Sequence, residues 1–579
     1  MSSNLAYFDY HAERQELIDE LPEEILGILY PQQFDDLKTI LPSTDQESIT
    51  PQTSTIAHVS IGNRKIDPSI FNKDVGSNNW VVNSKKADGN HALIANDPHL
   101  FLTLPGAFYE ASLIGDKLKV YGYSIPGLPI IVSGHNTNIS WGITNGEWDL
   151  TDRYLLKTKN DSLYFYEGNW IPFQQKKYVI NVRGKGKVEV DVKRTIHGIV
   201  QKVDTSYYAQ HWYPSGKNYS INSLFNLMSS TNYDEFKTAL KTYDYPPQNF
   251  VYADVNDTIG MVCAGKLPKK PRGYQGGLLD GTKGLLKEEY ISTQWEISNP
   301  SNNYLFSANQ LPIQNDEYFG AHWHKDDYRV DRINQLLDEN NDWNVNTTKS
   351  MQLDEVDFSF YHAQKVFKKH LQKDSMNAID SVLTYWNGDM KSSSKEALLY
   401  ETLRKNIEEE AKRFANEELK VSQVPSINSF LNYLETTQTS IRGYTAKETM
   451  IASILKKTDS TLNSADLSRD SKYSDISGAI AFNISFLPGF GHQITNAGGN
   501  KNTINMNGTA HPIFRSVYEM KKNEISGYNI MAGGQSGKMN SKNYTDQILL
   551  WKKGTYKKTQ FELDPENLAN IINTINFNK

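Results

Sequence analysis

The spacing of apolar and polar residues predicts a strand-rich first half of the chain. From residue 77 to about 265, short runs of β-branched and aromatic residues are separated by turn residues, which is typical of β-strands. Two amphipathic stretches, near Ser223 to Met228 and Tyr233 to Thr242, predict helices within this part. We therefore expect sheets with a few helices over residues 77–328.

Further along the chain the apolar period becomes helical. Ser393-Ser394-Lys395-Glu396 has the form of a capping box and predicts a long helix that ends near Ala415. Strand and turn residues return after Ile476. We expect a helical insertion over residues 329–475 and a return to the sheets over residues 476–579, so the predicted fold class is α+β.

Gly76-Ser77-Asn78-Asn79-Trp80 opens a predicted β-hairpin. The apolar runs Trp80-Val81-Val82 and Ala92-Leu93-Ile94-Ala95 are joined by a polar turn that contains Asp88-Gly89. Gly-Ser-Asn is ordinary turn composition, so a loop that enters a strand is the simplest interpretation.

The alternative interpretation of the same residues is chemical. A Ser that follows a Gly can become a new N-terminus if the chain cuts itself between Gly76 and Ser77. Such a residue carries a nucleophilic hydroxyl together with an α-amino group whose ordinary pKa is about 8, so it needs no separate catalytic His. Ser77 is therefore a candidate nucleophile and Gly76-Ser77 a candidate cleavage site.

Composition excludes some classes of partner. The 579-residue chain has a net charge of −6 and a pI near 6.1, and no basic stripe stands out, so we expect no nucleic-acid partner. No apolar run approaches the length of a transmembrane helix, so we expect no membrane insertion. The single cysteine, Cys263, allows no intrachain disulfide and lies in an apolar run that predicts burial.

Five sequence blocks together resemble the penicillin acylase family of N-terminal-nucleophile hydrolases. They occur in the family's order and spacing, and the similarity runs from about Asn4 to the C-terminus. The blocks are Gly76-Ser77-Asn78-Asn79-Trp80, Ala95-Asn96-Asp97-Pro98-His99, Ser133-Gly134-His135-Asn136 with Ile139-Ser140-Trp141-Gly142-Ile143-Thr144-Asn145, Gln248-Asn249-Phe250-Val251-Tyr252-Ala253-Asp254, and Gly533-Gly534-Gln535-Ser536-Gly537 with Tyr544-Thr545-Asp546-Gln547.

The resemblance implies a fold and a reaction. The family has a four-layer αββα core, and its members are made as precursors that cut themselves before the nucleophilic Ser. By resemblance, this chain cuts itself between Gly76 and Ser77 and hydrolyses a non-peptide amide through an acyl-Ser77 intermediate. Penicillin-like β-lactams and N-acyl homoserine lactones are both open as substrates.

The resemblance also implies companions for Ser77. Asn249 matches the family's side-chain donor to the oxyanion, and the backbone N–H of Asn145 would be the second donor. His99, 22 residues after Ser77, would form an orienting hydrogen bond with the Ser77 amine or hydroxyl. Without the resemblance, Asn249 is a polar residue at a strand entrance and His99 a turn histidine.

Asp149-Leu150-Thr151-Asp152 is a candidate metal site. Two carboxylates and a backbone carbonyl within four residues suit a hard cation, although Asp-x-x-Asp alone is usually a solvated turn. The resemblance implies a structural calcium held by Asp149, the Thr151 carbonyl and Asp152, with Asp254 as a further candidate ligand.

Other positions are candidates for a substrate pocket. The aromatic residues Phe108, Trp148 and Phe250 would line an apolar acyl pocket or simply pack in the core. Lys270 stands where the family usually has Arg, and Arg272 is a possible replacement. Lys is a point charge and Arg a rigid fork, so the exchange is not conservative.

The N-terminus differs from that of exported family members. Residues 1–30 carry seven acidic residues against the single Arg14 and have no signal-peptide pattern. We interpret residues 1–76 as the end of the family's α segment plus a spacer, and residues 77–579 as its β segment, which would pair with the α segment as a heterodimer. Resemblance implies a periplasmic or secreted protein that lacks its upstream part, while a genuine short form is the alternative. A catalytically inactive remnant or binding protein is the competing interpretation.

Overall fold

The computed structural model describes residues 10–31, 38–41, 75–270, 274–286, 289–291, 295–313, 328–371, 377–436, 444–463, 471–485, 487, 489–522, 524–568, 571 and 574–575. The α-helices are α1 (Tyr10–Glu20), α2 (Glu23–Leu29), α3 (Ser220–Met228), α4 (Tyr233–Leu240), α5 (Tyr328–Glu339), α6 (Val345–Gln352), α7 (Ser359–Phe367), α8 (Ala378–Tyr385), α9 (Lys395–Arg413), α10 (Ile427–Glu435), α11 (Lys447–Asn463) and α12 (Ile548–Lys552). The strands are β1 (Gly76–Val82), β2 (Leu93–Leu100), β3 (Thr103–Leu104), β4 (Tyr109–Ile114), β5 (Lys119–Ser124), β6 (Ser133–His135), β7 (Ile139–Asn145), β8 (Thr151–Leu156), β9 (Thr158–Lys159), β10 (Leu163–Tyr166), β11 (Asn169–Pro172), β12 (Gln174–Val182), β13 (Gly186–Thr195), β14 (Gly198–Val203), β15 (Ser206–Trp212), β16 (Gln248–Asp254), β17 (Ile259–Ala264), β18 (Leu267–Pro268), β19 (Leu279–Asp280), β20 (Tyr290–Ile291), β21 (Trp295–Ser298), β22 (Tyr304–Ser307), β23 (Gly478–Asn483), β24 (His492–Thr495), β25 (His511–Pro512), β26 (Phe514–Lys521), β27 (Glu524–Met531) and β28 (Lys557–Lys558).

Two sheets face each other at the centre of the protein. Sheet A has the strand order β22-β1-β2-β26-β27-β28, with β25 beside β2, and sheet B has the order β21-β17-β16-β7-β6-β5-β4. Val81 and Ile94 of sheet A pack against Val251 and Met261 of sheet B in one buried cluster. Gly142 lets β7 approach sheet A closely, because an added Cβ would lie 2.8 Å from the Cβ of Asn96.

Helices cover the outer faces of both sheets. Trp80 and Leu93, on the outer face of sheet A, pack with Val330 and Ile333 of α5. On the outer face of sheet B, Phe250 and other apolar side chains pack with the helices α3 and α4. Burial of each such side chain stabilises the fold by about 1.5–3 kcal/mol. The layers follow the order α, β, β, α, which confirms the predicted mixed fold with a four-layer core.

A further group of strands extends beyond the core. One sheet has the order β12-β13-β14-β15-β8-β19, and a small sheet has the order β11-β10-β9. The β12–β13 hairpin spans Gln174–Thr195, with the Gly184 and Gly186 backbones in the left-handed region that its turn requires. Strand β8 connects this group to the core, because it follows β7 of sheet B after only five residues, 146–150.

The helices α7 to α11 build a separate apolar core with α1 and α2. Leu17 and Leu29 of the N-terminal helices share that core with Phe360, Leu403 and Phe430. The N-cap of α9 is Ser394, whose Oγ accepts a hydrogen bond from Ala397 N at 3.0 Å. The predicted capping box is therefore displaced by one residue. A π-helical turn over Phe414–Leu419 continues α9 past its predicted end.

Among the residues that the structure describes, no helix has both the length and the apolar character needed to cross a membrane.

Candidate active site

Ser77 lies near the start of β1, in the space between the two central sheets. It pairs with Pro98 on β2, and alternation along β1 places Ser77, Asn79 and Val81 on the face toward sheet B. Ser77 is 4% exposed. Its hydroxyl is thus held in a nearly dry environment, where hydrogen bonds to it are strong.

Asn309 contacts both reactive groups of Ser77. Its Oδ1 accepts a hydrogen bond from Ser77 N at 2.7 Å, and its Nδ2 donates to Ser77 Oγ at 3.1 Å. Asn309 follows the end of β22, which pairs with β1, and this pairing brings the two residues together. One side chain therefore fixes the positions of the nitrogen and the hydroxyl of Ser77.

The Arg329 guanidinium supports this arrangement from α5. It donates to Ser77 O at 3.0 Å, to Asn78 Oδ1 at 2.9 Å and to Asn309 Oδ1 at 3.3 Å. Gly76 leaves room for it, because an added Cβ would lie 3.0 Å from Arg329 Nη2. Arg329 and Asn309 were not among the residues singled out from the sequence.

The backbone N–H of Asn145 points at the same hydroxyl. It lies at the end of β7 and is 3.4 Å from Ser77 Oγ, where the sequence placed the second donor. Asn309 Nδ2 also donates to Asn145 O at 3.0 Å, so the two donors are held together. Two N–H groups are therefore directed at the Ser77 hydroxyl, next to where the carbonyl of a substrate would be attacked.

The Asn249 side chain does not contact the Ser77 hydroxyl in this structure, and its predicted donor role stays a prediction. Its Nδ2 is directed at Thr144 Oγ1 at 3.2 Å, Ser307 Oγ at 3.3 Å and Asn145 O at 3.5 Å. On β16 it lies opposite Thr144 of β7 and faces the space between the two sheets. Asn249 therefore contacts the neighbours of Ser77, and Asn309 is a second side-chain amide beside the Ser77 hydroxyl.

His99 does not contact Ser77, so the predicted orienting hydrogen bond is wrong. In the β1–β2 pair His99 lies opposite Gly76, on the face of sheet A turned toward the helices. His99 Nε2 is 2.7 Å from Asp97 Oδ2 and 3.2 Å from Asn78 Nδ2. Its effect on Ser77 is indirect, through the strand that carries Asn78.

Burial keeps the Asp97 and His99 pair uncharged. Desolvation raises the pKa of Asp97 to about 8, although hydrogen bonds from Gln352 and Asn78 and the charge of Arg515 lower it. Desolvation, together with the charges of Arg329 and Arg515, holds the pKa of His99 well below its ordinary value. At neutral pH both side chains are therefore mainly neutral in the folded protein.

We expect Asp97→Asn to change how stability depends on pH. The pKa of Asp97 is higher in the folded than in the unfolded chain, so its contribution to stability is complete below about pH 4 and is lost as the pH rises toward about 8. The free energy of unfolding of the native chain should therefore fall relative to that of the variant between these pH values. Urea unfolding at several pH values measures the difference, with the half-exposed Asp331→Asn as control. Parallel curves for native and Asp97→Asn proteins would contradict the raised pKa.

The predicted metal ligands Asp149, Thr151 and Asp152 lie together, but a lysine lies among them. Lys270 Nζ is 2.6 Å from Asp152 Oδ1, 3.0 Å from Thr151 O and 3.4 Å from Asp149 Oδ2. Burial lowers the pKa of Lys270, but the two carboxylates outweigh burial and raise it above its ordinary value. Within the described ranges, no group of three or more His, Cys, Asp or Glu side chains is arranged to hold a metal ion. These residues therefore do not fit a divalent cation.

Asp254 and Lys270, two further residues of the predicted site, make contacts that stabilise the fold. Asp254 ends β16 at the opposite end from Gln248 and Asn249, where its carboxylate accepts bonds from Asn256 N, Thr258 N and Tyr252 Oη. It is a turn residue and not a ligand beside Asp152. Lys270 belongs to the carboxylate cluster and not to a substrate pocket, and Arg272 lies outside the described residues.

The predicted pocket aromatics are nearly fully buried. Phe250 is turned toward α4, 5.1 Å from the Tyr243 ring, so it lies on the face of β16 away from Ser77 and cannot line a pocket there. Phe108 packs edge-on against Phe514 at 5.4 Å, and Trp148 packs against Trp295 at 5.6 Å. For Phe108 and Trp148 a place in the acyl pocket stays a prediction.

Similarity to known proteins covers most of the chain. The penicillin amidase family model matches residues 1–567. Penicillin G acylase from Escherichia coli is 27% identical over 333 residues, which is 54% of this chain and 39% of that protein. The acyl-homoserine lactone acylase QuiP from Pseudomonas aeruginosa is 24% identical over 396 residues, which is 61% of this chain and 46% of that protein. The chain thus spans less than half the length of either relative.

A solved structure has the same fold. The thermostable penicillin G acylase from Alcaligenes faecalis superposes with a TM-score of 0.68 at 18% identity, covering 87% of this chain and 100% of that one. Together with the family match over residues 1–567, the sandwich of sheets and the Ser77 site lead to one assignment. The chain belongs to the penicillin amidase family.

Proposed function

We propose that this chain is an amidohydrolase that cuts itself between Gly76 and Ser77 and then hydrolyses the amide bond of an N-acyl substrate. The proposal rests on one set of contacts, in which Asn309 holds both the backbone nitrogen and the hydroxyl of Ser77. Such contacts suit a residue that acts as nucleophile through its hydroxyl and as base through its nitrogen.

In the cutting step, Ser77 Oγ attacks the carbonyl carbon of Gly76. The peptide C–N bond breaks, the proton of the Ser77 hydroxyl passes to the Ser77 nitrogen, and an ester joins Gly76 to Ser77 Oγ. Water then hydrolyses this ester, which leaves a Gly76 carboxylate and a free Ser77 amine. The Asn309 Oδ1 contact supports this path, because it can hold the nitrogen before and after the bond breaks.

In turnover, the freed amine accepts the proton of the Ser77 hydroxyl as Oγ attacks the substrate carbonyl. The negative charge that develops on the carbonyl oxygen is stabilised by N–H donors, and we assign this role to Asn145 N together with a side-chain amide beside it, Asn309 Nδ2 or Asn249 Nδ2. The amine half of the substrate takes the proton and leaves, and water hydrolyses acyl-Ser77. None of these steps needs a cofactor or metal ion.

After cutting, we expect the segments 1–76 and 77–579 to remain associated as a heterodimer. Helices α1 and α2 are buried in the core of the helical lobe, where Leu17 and Leu29 are almost inaccessible to solvent. Gln15 Oε1 accepts a hydrogen bond from Leu278 N at 2.9 Å, and Arg14 donates to Gln275 O at 3.0 Å. These contacts do not depend on the Gly76–Ser77 bond.

Two kinds of acyl group are candidates for the substrate. The Escherichia coli relative is named for penicillin G and the Pseudomonas aeruginosa relative for acyl-homoserine lactones, and their identities to this chain differ little. A penicillin-type side chain and a long acyl chain are therefore both candidates for the acyl half.

Intact-mass analysis of the purified protein tests the proposal. We expect two fragments of 76 and 503 residues, since 579 − 76 = 503, and the larger should begin at Ser77. Rates with chromogenic phenylacetyl, glutaryl and long-chain acyl amides, together with an N-acyl homoserine lactone, then rank the acyl groups.

A chain that stays uncut and hydrolyses none of these amides would contradict the proposal and favour a non-catalytic binding protein. Cutting at another bond would contradict the role of Gly76-Ser77 even if an amide were hydrolysed. Turnover of the phenylacetyl amide alone would favour the penicillin-type substrate, and turnover of the long-chain substrates alone would favour the acyl-homoserine lactone type.

A further inference from the structure

The Lys270 cluster consists of Lys270, Asp149, Thr151, Asp152 and His11, all buried. The Lys270 side chain is 0% exposed, and the side chains of Asp149 and Asp152 are 2% and 1% exposed. It lies where β7 leads into β8, only a few residues beyond Asn145. A buried pair of carboxylates requires a compensating positive charge, because desolvated like charges repel strongly.

The lysine ammonium donates hydrogen bonds to two oxygens of this cluster and lies at ion-pair distance, 3.4 Å, from a third, Asp149 Oδ2. An ammonium has three N–H donors, and three oxygens surround Lys270 Nζ: Asp152 Oδ1, Thr151 O and Asp149 Oδ2. A calcium ion would instead require six to eight oxygen ligands. The donors and acceptors around Lys270 match an ammonium in number.

The outer carboxylate oxygens are already bonded to the protein. Asp152 Oδ2 accepts a hydrogen bond from Tyr213 Oη at 2.7 Å, and Asp149 Oδ1 accepts one from Thr151 N at 3.0 Å. A divalent cation would have to displace Lys270 from Asp152 and would leave a second positive charge in a dry site. The cluster therefore disfavours the cation that the sequence predicted.

The cluster also joins the N-terminal segment to the rest of the chain. His11 Nε2 of α1 lies 2.9 Å from Thr151 O, and His11 Nδ1 lies 2.8 Å from Gly276 O. Lys270 Nζ donates to the same Thr151 carbonyl oxygen. The lysine and α1 therefore hold the same segment, Asp149–Asp152.

We propose that the Lys270 ammonium takes the place of a bound divalent cation, so that this chain folds without calcium. The lysine offsets one of the two carboxylate charges and fixes the segment between β7 and β8, to which α1 binds. This role is independent of the proposed amidohydrolase function, because it concerns folding and can be measured on an uncut or inactive chain.

Thermal unfolding of the purified full chain tests the proposal directly. We expect the same midpoint in excess EDTA and in millimolar calcium, and no stoichiometric calcium by elemental analysis of protein purified without chelator. A higher midpoint in calcium and a lower one in EDTA would overturn the proposal, because a ligand that binds only the folded state must raise the midpoint.

Lys270→Ala extends the test. Removing one partner of a buried ion pair is strongly destabilising, so we expect a midpoint lower by roughly 10 °C. Calcium should then raise the midpoint of this variant while leaving the native midpoint unchanged, because the oxygens that held the ammonium become available to an ion. Potassium at matched ionic strength controls for screening of charge.

Lys266→Ala is the matched control, because Lys266 also pairs with an aspartate, Asp244, but is 43% exposed. We expect only a small shift in its midpoint and no response to calcium. A folded Lys270→Ala variant that ignores calcium would overturn the replacement of an ion by the ammonium. If that variant fails to fold in either solution, the EDTA and calcium comparison on the native chain decides the proposal.

Discussion

Ser77→Ala is expected to yield a single uncut chain of 579 residues with no measurable amide hydrolysis. The variant lacks the hydroxyl that attacks Gly76, so no ester forms and no free amine appears. Loss of an enzyme's nucleophile typically lowers kcat by roughly 10⁶-fold, which leaves only the background rate. Intact mass measures cutting, and a chromogenic acyl amide measures turnover on the same sample.

Ser223→Ala is the matched control for loss of a buried hydroxyl. Ser223 lies on α3, is fully buried, and donates to Ala239 O at 2.6 Å, without contacting the site. We expect this variant to lose about 1 kcal/mol of stability, to be cut completely and to retain turnover. If Ser77→Ala is still cut at Gly76-Ser77, another protease does the cutting and the proposed mechanism is wrong.

Ser77 could be predicted from the sequence, whereas Asn309 could not. Ser77 is visible because its neighbours in the chain, Gly76 before it and the apolar Trp80-Val81-Val82 after it, carry local meaning. Asn309 lies 232 residues away and reaches Ser77 only because β22 pairs with β1. Strand pairing at that separation leaves no local pattern, so the donor could not be read from the segment around Asn309.

Strand register explains why His99 does not reach Ser77. His99 and Asn249 lie on the predicted strands next to the site, but a one-residue step along a strand turns a side chain to the other face. His99 faces the helices with Asn78, whereas Ser77 faces sheet B. Asn249 does face the space between the sheets, yet its amide is directed at Thr144 and Ser307. The sequence predicted the right strands, while side-chain direction depended on pairing.

The ionic contacts of Lys270 also could not be predicted from the residues near it in the chain. As a residue beside Lys269 it has the composition of a solvated surface, and nothing near it in the chain indicates two carboxylates. The Asp149–Asp152 segment lies about 120 residues earlier, and only the folded chain brings the ammonium between them. The mixed fold class was easier to predict, because the strand and helix patterns extend over hundreds of residues, and the four-layer core was implied by the resemblance to the family.

Asn309→Ala is expected to lower turnover by about 10²–10³-fold at full occupancy with substrate, which corresponds to about 2.7–4 kcal/mol of transition-state stabilisation. The variant loses the Nδ2 donor to Ser77 Oγ and the Oδ1 acceptor for Ser77 N. A donor to the developing oxyanion acts mainly in the transition state, so kcat should fall much more than KM rises. Rates are expressed per cut chain, with the cut fraction taken from intact mass, so that slower cutting is measured separately from slower turnover.

Asn249→Ala separates the two candidate donors. If Asn249 only positions Thr144 and Ser307, its loss should lower kcat by about tenfold, the effect of one hydrogen bond in the supporting network.

Asn309→Asp keeps an acceptor for Ser77 N but has no N–H to donate, so it should match Asn309→Ala in turnover and surpass it in cutting. The reverse order, with Asn249→Ala the more severe and Asn309→Ala nearly normal, would support the donor role predicted for Asn249. Because Asn309 Nδ2 donates to Ser77 Oγ and Asn249 Nδ2 is directed at Thr144 and Ser307, we expect Asn309→Ala to be the more damaging change.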